Sequence, residues 1–202
     1  MLLNKSLGFE IQLIVGLANP GQQYAKTRHN AGAWLVEALL QQSDSSLKEE
    51  AKFQGLVAKI ALHNLKCFLL IPTTYMNHAG RSVRALAHFY RIPPRAILVV
   101  HDELYLPVGS ARFKQGGGDG GHNGLKNIAN ELGSQDFWRL RLGIGHPGHR
   151  EQLDDYVINS PCSADRQKID AVIDEILILL PIFVSGDQQR AIQTLHSSQK
   201  QK

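Results

Sequence analysis

Short apolar runs alternate with stretches of helical period along most of this chain. That alternation restricts the fold more than any other feature. Residues 10–16 read as a buried strand that runs into the loop Leu17-Ala18-Asn19-Pro20-Gly21. Residues 30–41 have helical spacing through Trp34, Leu35, Ala38 and Leu39, with Asn30 as N-cap. The polar segment 43–50 reads as a connection, and residues 55–61 and 66–71 as strands. A second helix opens at Asn77 or His78, continues through Val83, Leu86, Ala87 and Tyr90, and stops at Pro93 and Pro94. Residues 96–100 form an apolar strand that delivers His101, Asp102 and Glu103 at its end. A short strand at 112–115, a helix at 124–132 and a strand through Leu140, Leu142 and Ile144 follow. Residues 147–163 read as a loop. The stripe Ile169, Val172, Ile173, Ile176, Leu177 and Leu180 then marks a helix that Pro181 ends or kinks. Strands alternating with helices predict an α/β sheet covered on both faces. With no internal repeat and no long linker, one domain is expected, with a frayed tail at 197–202.

The densest local signal is Gly-Gly-Gly-Asp-Gly-Gly-His-Asn-Gly at residues 116–124. Glycine backbone can approach a phosphate closely because no Cβ intervenes. Arg112, Lys114 and Lys126 flank the run, so an anionic ligand is expected. The run contains Gly-x-Gly-x-x-Gly as Gly116, Gly118 and Gly121, the dinucleotide pattern. The strand before it, Arg112-Phe113-Lys114-Gln115, is too charged for the central parallel strand that pattern requires. No Gly-Lys-Ser/Thr closes the run, so it is not a P-loop.

The net charge of +4 is unevenly placed: residues 81–150 carry ten Lys/Arg against five Asp/Glu, and the remainder is close to neutral. Such clustering suits a polyanion, although a solvated basic face has the same composition. The two cysteines, Cys67 and Cys162, make no disulfide framework, and Cys67 sits in an apolar run as a core residue. There is no signal-peptide pattern and no run of the ~18 apolar residues a membrane span needs. A reducing cytoplasm and no membrane contact are expected.

In such sheets ligands bind beyond the carboxyl ends of strands. Asn19, His29, Asn77 and Asp102 fall there or in the loops that follow. A histidine can act as a base near neutral pH when a carboxylate fixes its tautomer. Asp102 or Glu103 can supply that carboxylate. Taken alone, His29 is more often a capping or surface histidine and Asp102 a residue that caps a turn. Asn77 is either a helix N-cap or an amide donor for an oxyanion. No Gly-x-Ser-x-Gly elbow, His-Glu-x-x-His or paired cysteines are present, which argues against a serine nucleophile and a zinc hydrolase.

Taken together the motifs resemble bacterial peptidyl-tRNA hydrolase. The matching segments are Ile14-Val15-Gly16-Leu17-Ala18-Asn19-Pro20-Gly21, residues 24–32, residues 72–80, His101-Asp102-Glu103-Leu104, residues 116–124, and residues 139–147. Their order spans roughly residues 10–185. The resemblance implies a monomeric, single-domain three-layer α/β fold with a mixed, twisted sheet packed between helices. The catalytic domain would cover 10–196, after a short extension at 1–9. It implies hydrolysis of the ester joining a peptide to the 3′ ribose of tRNA, with no metal and no other cofactor. The partner would be peptidyl-tRNA, held by its acceptor stem and 3′ end. By the same resemblance His29 is the general base and Asp102 its orienting acid. Asn19 and Asn77 line the catalytic pocket, and Asn123 binds substrate and places the water. Tyr24 and Met76 neighbour the site, His122 faces RNA beside Asn123, and Arg112, Lys114 and Arg141 form a clamp for the 5′ phosphate. Two other readings remain: an RNA-binding module that lacks catalysis, and a nucleotide-binding oxidoreductase resting on the glycine pattern.

Overall fold

The structure is a computed structural model and describes residues 8–62 and 64–200. Expectations for residues 1–7, most of the short extension, lie outside the described residues, as do those for 201 and 202. Among the described residues seven strands form one sheet in the order β2-β3-β4-β1-β5-β7-β6. They are β1 Leu13–Gly16, β2 Lys48–Glu50, β3 Gly55–Leu62, β4 Leu65–Pro72, β5 Ile97–Glu103, β6 Ala111–Gln115 and β7 Trp138–Gly143. The central strands β4, β1, β5 and β7 are parallel to one another, whereas β2–β3, β3–β4 and β6–β7 are antiparallel. The sheet is therefore mixed, with its most apolar strand at the centre, as a strand buried on both faces requires.

The helices α1 Ala31–Gln41, α2 Ala79–Tyr90, α3 Asn123–Leu132, α4 Leu153–Ile158, α5 Ser163–Val184 and α6 Gln188–Gln199 complete the layers. Alternate side chains of the strands feed two cores. Ile14, Leu98, Val100 and Leu140 meet α1, α5 and α6 on one face. Leu13, Val15, Leu70, Ile97 and Val99 meet α2 and α3 on the other. Cys67 is buried in the first core, and burial pushes its thiol up to about 12. Among the described residues no helix is long and apolar enough to cross a membrane.

Several local expectations change. The end of the polar segment 43–50 is strand β2, added antiparallel to β3 at the sheet edge. Residues 153–158 in the expected loop form α4, which buries none of its residues fully. Its C-terminus is held from a distance. The Arg28 guanidinium donates to the carbonyls of Tyr156, Asn159 and Ser160 at 3.2, 3.1 and 3.1 Å and stacks over the Tyr156 ring. Tyr156 lies in the last turn, Asn159 is the C-cap and Ser160 follows it, so one guanidinium gathers the carbonyls of this helix end. Pro181 does not end α5, which continues to Val184. Phe183 stacks on Phe113 at 4.0 Å between ring centroids, and this burial outweighs the backbone bond the proline forfeits. The expected frayed tail begins as helix, since α6 continues through Gln199. Ala191 and Leu195 bury its inner face.

Candidate active site

The carboxyl ends of β1, β4 and β5 open on one edge of the sheet, and the loops leaving them carry the polar residues. Asn19, just beyond β1, and Asn30, before α1, bond reciprocally: Asn19 N–H donates to Asn30 Oδ1 at 2.8 Å and Asn30 Nδ2 to Asn19 O at 3.0 Å. Asn30 thus ties two loops together instead of capping α1, whose first turn receives no side-chain acceptor. Asn19 Oδ1 accepts from the Met76 backbone N–H at 2.9 Å, which joins the loop after β1 to that after β4.

His29 lies on the 3-10 turn Arg28–Asn30, directly before α1. Its Nδ1 is 2.9 Å from Asp102 Oδ1 on β5. The same carboxylate oxygen lies 3.1 Å from His122 Nε2. The two imidazoles face each other with centroids 4.9 Å apart. His122 Nδ1 accepts from the backbone N–H groups of Gly124 and Leu125, which caps α3. Its single hydrogen therefore sits on Nε2 and points at Asp102. His29 donates Nδ1–H to that oxygen, which leaves its Nε2 lone pair toward the cleft.

The electrostatics follow from this arrangement. Burial disfavours the Asp102 carboxylate, but the two histidines outweigh it and hold Asp102 well below the usual carboxylate range. Burial also opposes charging of His29; Asp102, and more weakly Asp154, raise its pKa above 6.5 on balance. His101, fully buried behind them, is pushed down to about 3 by burial first and by His122 next. It is neutral at any ordinary pH, and its Nδ1–H donates to the Asp102 carbonyl at 2.6 Å.

A cavity of about 410 Å³ opens beside this cluster. His29, Asp102, His122 and Asn123 line one part of it; Leu104, Tyr105, His146, Leu153 and Val157 line another. Asn19 lines a separate hollow with Pro72, Thr73 and Trp34. Asn77 is exposed on the short turn Met76–His78 and is not among the residues that line either hollow. Met76 is buried under α3, so closely that a Cβ on Gly124 would meet its sulfur at 2.6 Å. Tyr24 is half-buried, and its carbonyl accepts from the Thr27 hydroxyl at 2.8 Å.

His29, Asp102 and His122 have ligand atoms within 4.8 Å of one another, close enough to suggest a metal. The cap on α3 works against it. His122 Nδ1 is committed as an acceptor, so its Nε2 must lose a proton before it can ligate.

Register sets Arg112 opposite Arg141 and Lys114 opposite Arg139, all on the sheet face beside the glycine run. Arg141 Nε pairs with Glu103 at 2.8 Å, and Arg112 donates to the Ala111 carbonyl at 2.8 Å and to Gln199. Lys114 is exposed. Buried Arg139, which the sequence reading left unassigned, donates to the carbonyls of Gly117 and Gly118 at 2.5 and 2.6 Å and so fixes the run. Gly121 needs its glycine for a φ of +86°. Asp119 Oδ1 accepts from the Gly121 N–H at 2.8 Å, so this acid closes a turn.

The family whose sequence model matches is peptidyl-tRNA hydrolase, over residues 13–202. The chain belongs to the peptidyl-tRNA hydrolase family. A peptidyl-tRNA hydrolase of Coxiella burnetii (strain RSA 331 / Henzerling II) is 54% identical over 93% of this chain and 98% of its own length. One from Tolumonas auensis is also 54% identical, over 93% and 95%. The crystal structure of the Acinetobacter baumannii peptidyl-tRNA hydrolase superposes with a TM-score of 0.89 at 43% identity, covering 92% and 94% of the two chains. The family is one of hydrolases acting on peptidyl-tRNA, and the α/β fold described above is the fold of its solved members.

Proposed function

We propose that His29 is the general base of peptidyl-tRNA hydrolysis in this chain. The observation that carries this is the single Asp102 oxygen shared by two imidazoles, only one of which has a free nitrogen facing the cleft. His29 Nε2 takes a proton from a water, which attacks the ester carbonyl joining the peptide to the tRNA 3′ ribose. Asp102 steadies the resulting imidazolium. The proton then passes to the departing ribose oxygen, releasing peptide and tRNA. An alkoxide leaves more readily than an amide nitrogen, so activated water suffices without a covalent enzyme intermediate.

Asn123, at the N-terminus of α3, holds the substrate and the attacking water. Asn77 supplies an amide donor to the oxyanion once substrate brings the exposed turn Met76–His78 against the ester. Asn19 holds Met76, and with it that turn, in place. Tyr24 borders the peptide. Lys114, with Arg112 and Arg141 alongside, takes the 5′ phosphate, and His122 links the glycine loop to Asp102. The enzyme acts as a cytoplasmic monomer.

The decisive assay is release of N-acetyl-aminoacyl acid from its tRNA ester. His29→Ala is expected to slow turnover ~10²–10⁴-fold, the usual worth of a general base. Wild-type rates in that variant, with its thermal transition unchanged, would remove His29 from this role.

A further inference from the structure

The ten cations of residues 81–150 are not equally available. Arg139 is buried against the glycine carbonyls, Glu103 offsets Arg141, and Arg112 directs donors to neutral partners within the fold. Of the exposed cations in this window, Arg81, Arg84 and Arg91 lie together, on α2 or at its C-terminal end. Arg81, Arg84 and His88 recur at steps of three and four residues, which places them on one helical face, and Arg91, just past the end of α2, lines the same groove as Arg84 and His88. All four are exposed. Glu131 of α3 is the one acid paired with them among the described residues. It is shared by Arg81 at 4.0 Å and Arg84 at 3.3 Å, so two guanidinium groups face one carboxylate. Arg91 has no ion-pair partner among the described residues, and neither has exposed Lys126 on α3.

The place of this face matters as much as its charge. Asn77 lies immediately before α2, and Asn123 opens α3. The Gly80 N–H donates to Asn127 Oδ1 at 2.8 Å, which fastens the two helices together near these ends. The cationic face therefore starts beside the cleft and runs away from it for ~15 Å, at 1.5 Å per residue. Shallow grooves follow it, one lined by Arg81, Arg84, His88 and Glu131, the next by Arg84, His88, Arg91 and Pro93. Guanidinium groups in a row beside a site for an RNA 3′ end suit phosphodiesters, which accept their paired donors.

We propose that the α2 face of Arg81, Arg84, His88 and Arg91 is an RNA-backbone contact that receives phosphates of the tRNA acceptor arm. The inference rests on the substrate reading above and adds a second surface to it. The test uses the double variant Arg84→Ala/Arg91→Asn; asparagine is chosen because residue 91 has φ +55°. Binding of deacylated tRNA is measured against salt, with no chemistry involved. Hydrolysis of an N-acetyl-aminoacyl ester is then compared on full tRNA and on a CCA trinucleotide too short to reach α2. The log–log salt slope of binding is expected to fall by about two, one per cation removed, with a selective loss of kcat/KM on full tRNA. An unchanged salt slope, or equal losses on tRNA and trinucleotide, would overturn the assignment. Failure of the wild-type protein to cleave either ester would count against the catalytic reading, while the binding slopes would still decide this one.

Discussion

Two histidines that share one carboxylate oxygen make opposite predictions when the network is cut. His29 must be neutral to act as a base, so activity rises with pH through its folded pKa. That pKa is raised, which places the midpoint of kcat/KM above 6.5. Asp102→Asn removes the charge that raises it and leaves burial in control, so the midpoint drops. His122→Ala removes the second donor to Asp102. The carboxylate then interacts more strongly with His29, and the midpoint moves up. A pH–rate series on the three proteins checks the signs, and parallel shifts would break the argument. Stability has its own sign. A raised histidine pKa stabilises the fold below about 6.5 and loses that contribution as pH rises through the folded value. The transition temperature of the wild type is therefore expected to lose this increment as pH rises from 6.5 through the raised folded value, and Asp102→Asn to lack it.

At the scale of elements, the least self-sufficient one is α4. It buries none of its residues fully and relies on Arg28, far away in sequence, for its C-terminal acceptors. Arg28→Ala is expected to cost ~1.5–3 kcal/mol, the range for hydrogen bonds to a charged group. Amide exchange should speed up in 153–160 first. Exchange that stays slow there would show that α4 holds by itself. The same dependence explains what the sequence did and did not disclose. Strands β3 and β4 and helices α2 and α3 announce themselves by local period and are found within a residue or two, whereas β5 runs on past the expected residue 100 to Glu103 and carries His101 and Asp102 within it. Helix α4 and the persistence of α5 past Pro181 depend on partners distant in sequence, Arg28 and Phe113, and edge strand β2 is a three-residue charged segment defined only by its pairing with neighbouring β3. At the site, His29 and Asp102 were legible as residue types at strand ends and as a resemblance. The inward turn of His122 was not, because its neighbours suggested an RNA-facing loop. Its N-cap position before α3 was the available signal. Arg139 gave no local cue, since only the folded sheet sets it beside Gly117 and Gly118.

On the scale of the whole molecule, the two thiols report on cooperativity. Cys162 is exposed, whereas Cys67 lies on β4 inside the first core with its thiol held protonated up to about 12. A thiol reagent at neutral pH is expected to label Cys162 at once and Cys67 only as fast as the sheet opens. If both were modified together in native buffer, the central sheet would be breathing locally. The same strand order governs how the chain reaches this state. The first described strand, β1, is the middle one: Leu13 pairs with Phe68 on one side and Ile97 on the other, and the Ile11 N–H finds its acceptor at Val184. A chain emerging from the ribosome in order presents β1 with neither flank available. One flank of that apolar segment can pair once β4 has emerged, the other only when β5 has, and α5 closes over it later still. High contact order of this kind slows folding and exposes a sticky edge in the meantime. A peptidyl-tRNA hydrolase that aborted before β5 would thus be both inactive and prone to aggregate, so this chain depends on the completion of its own synthesis.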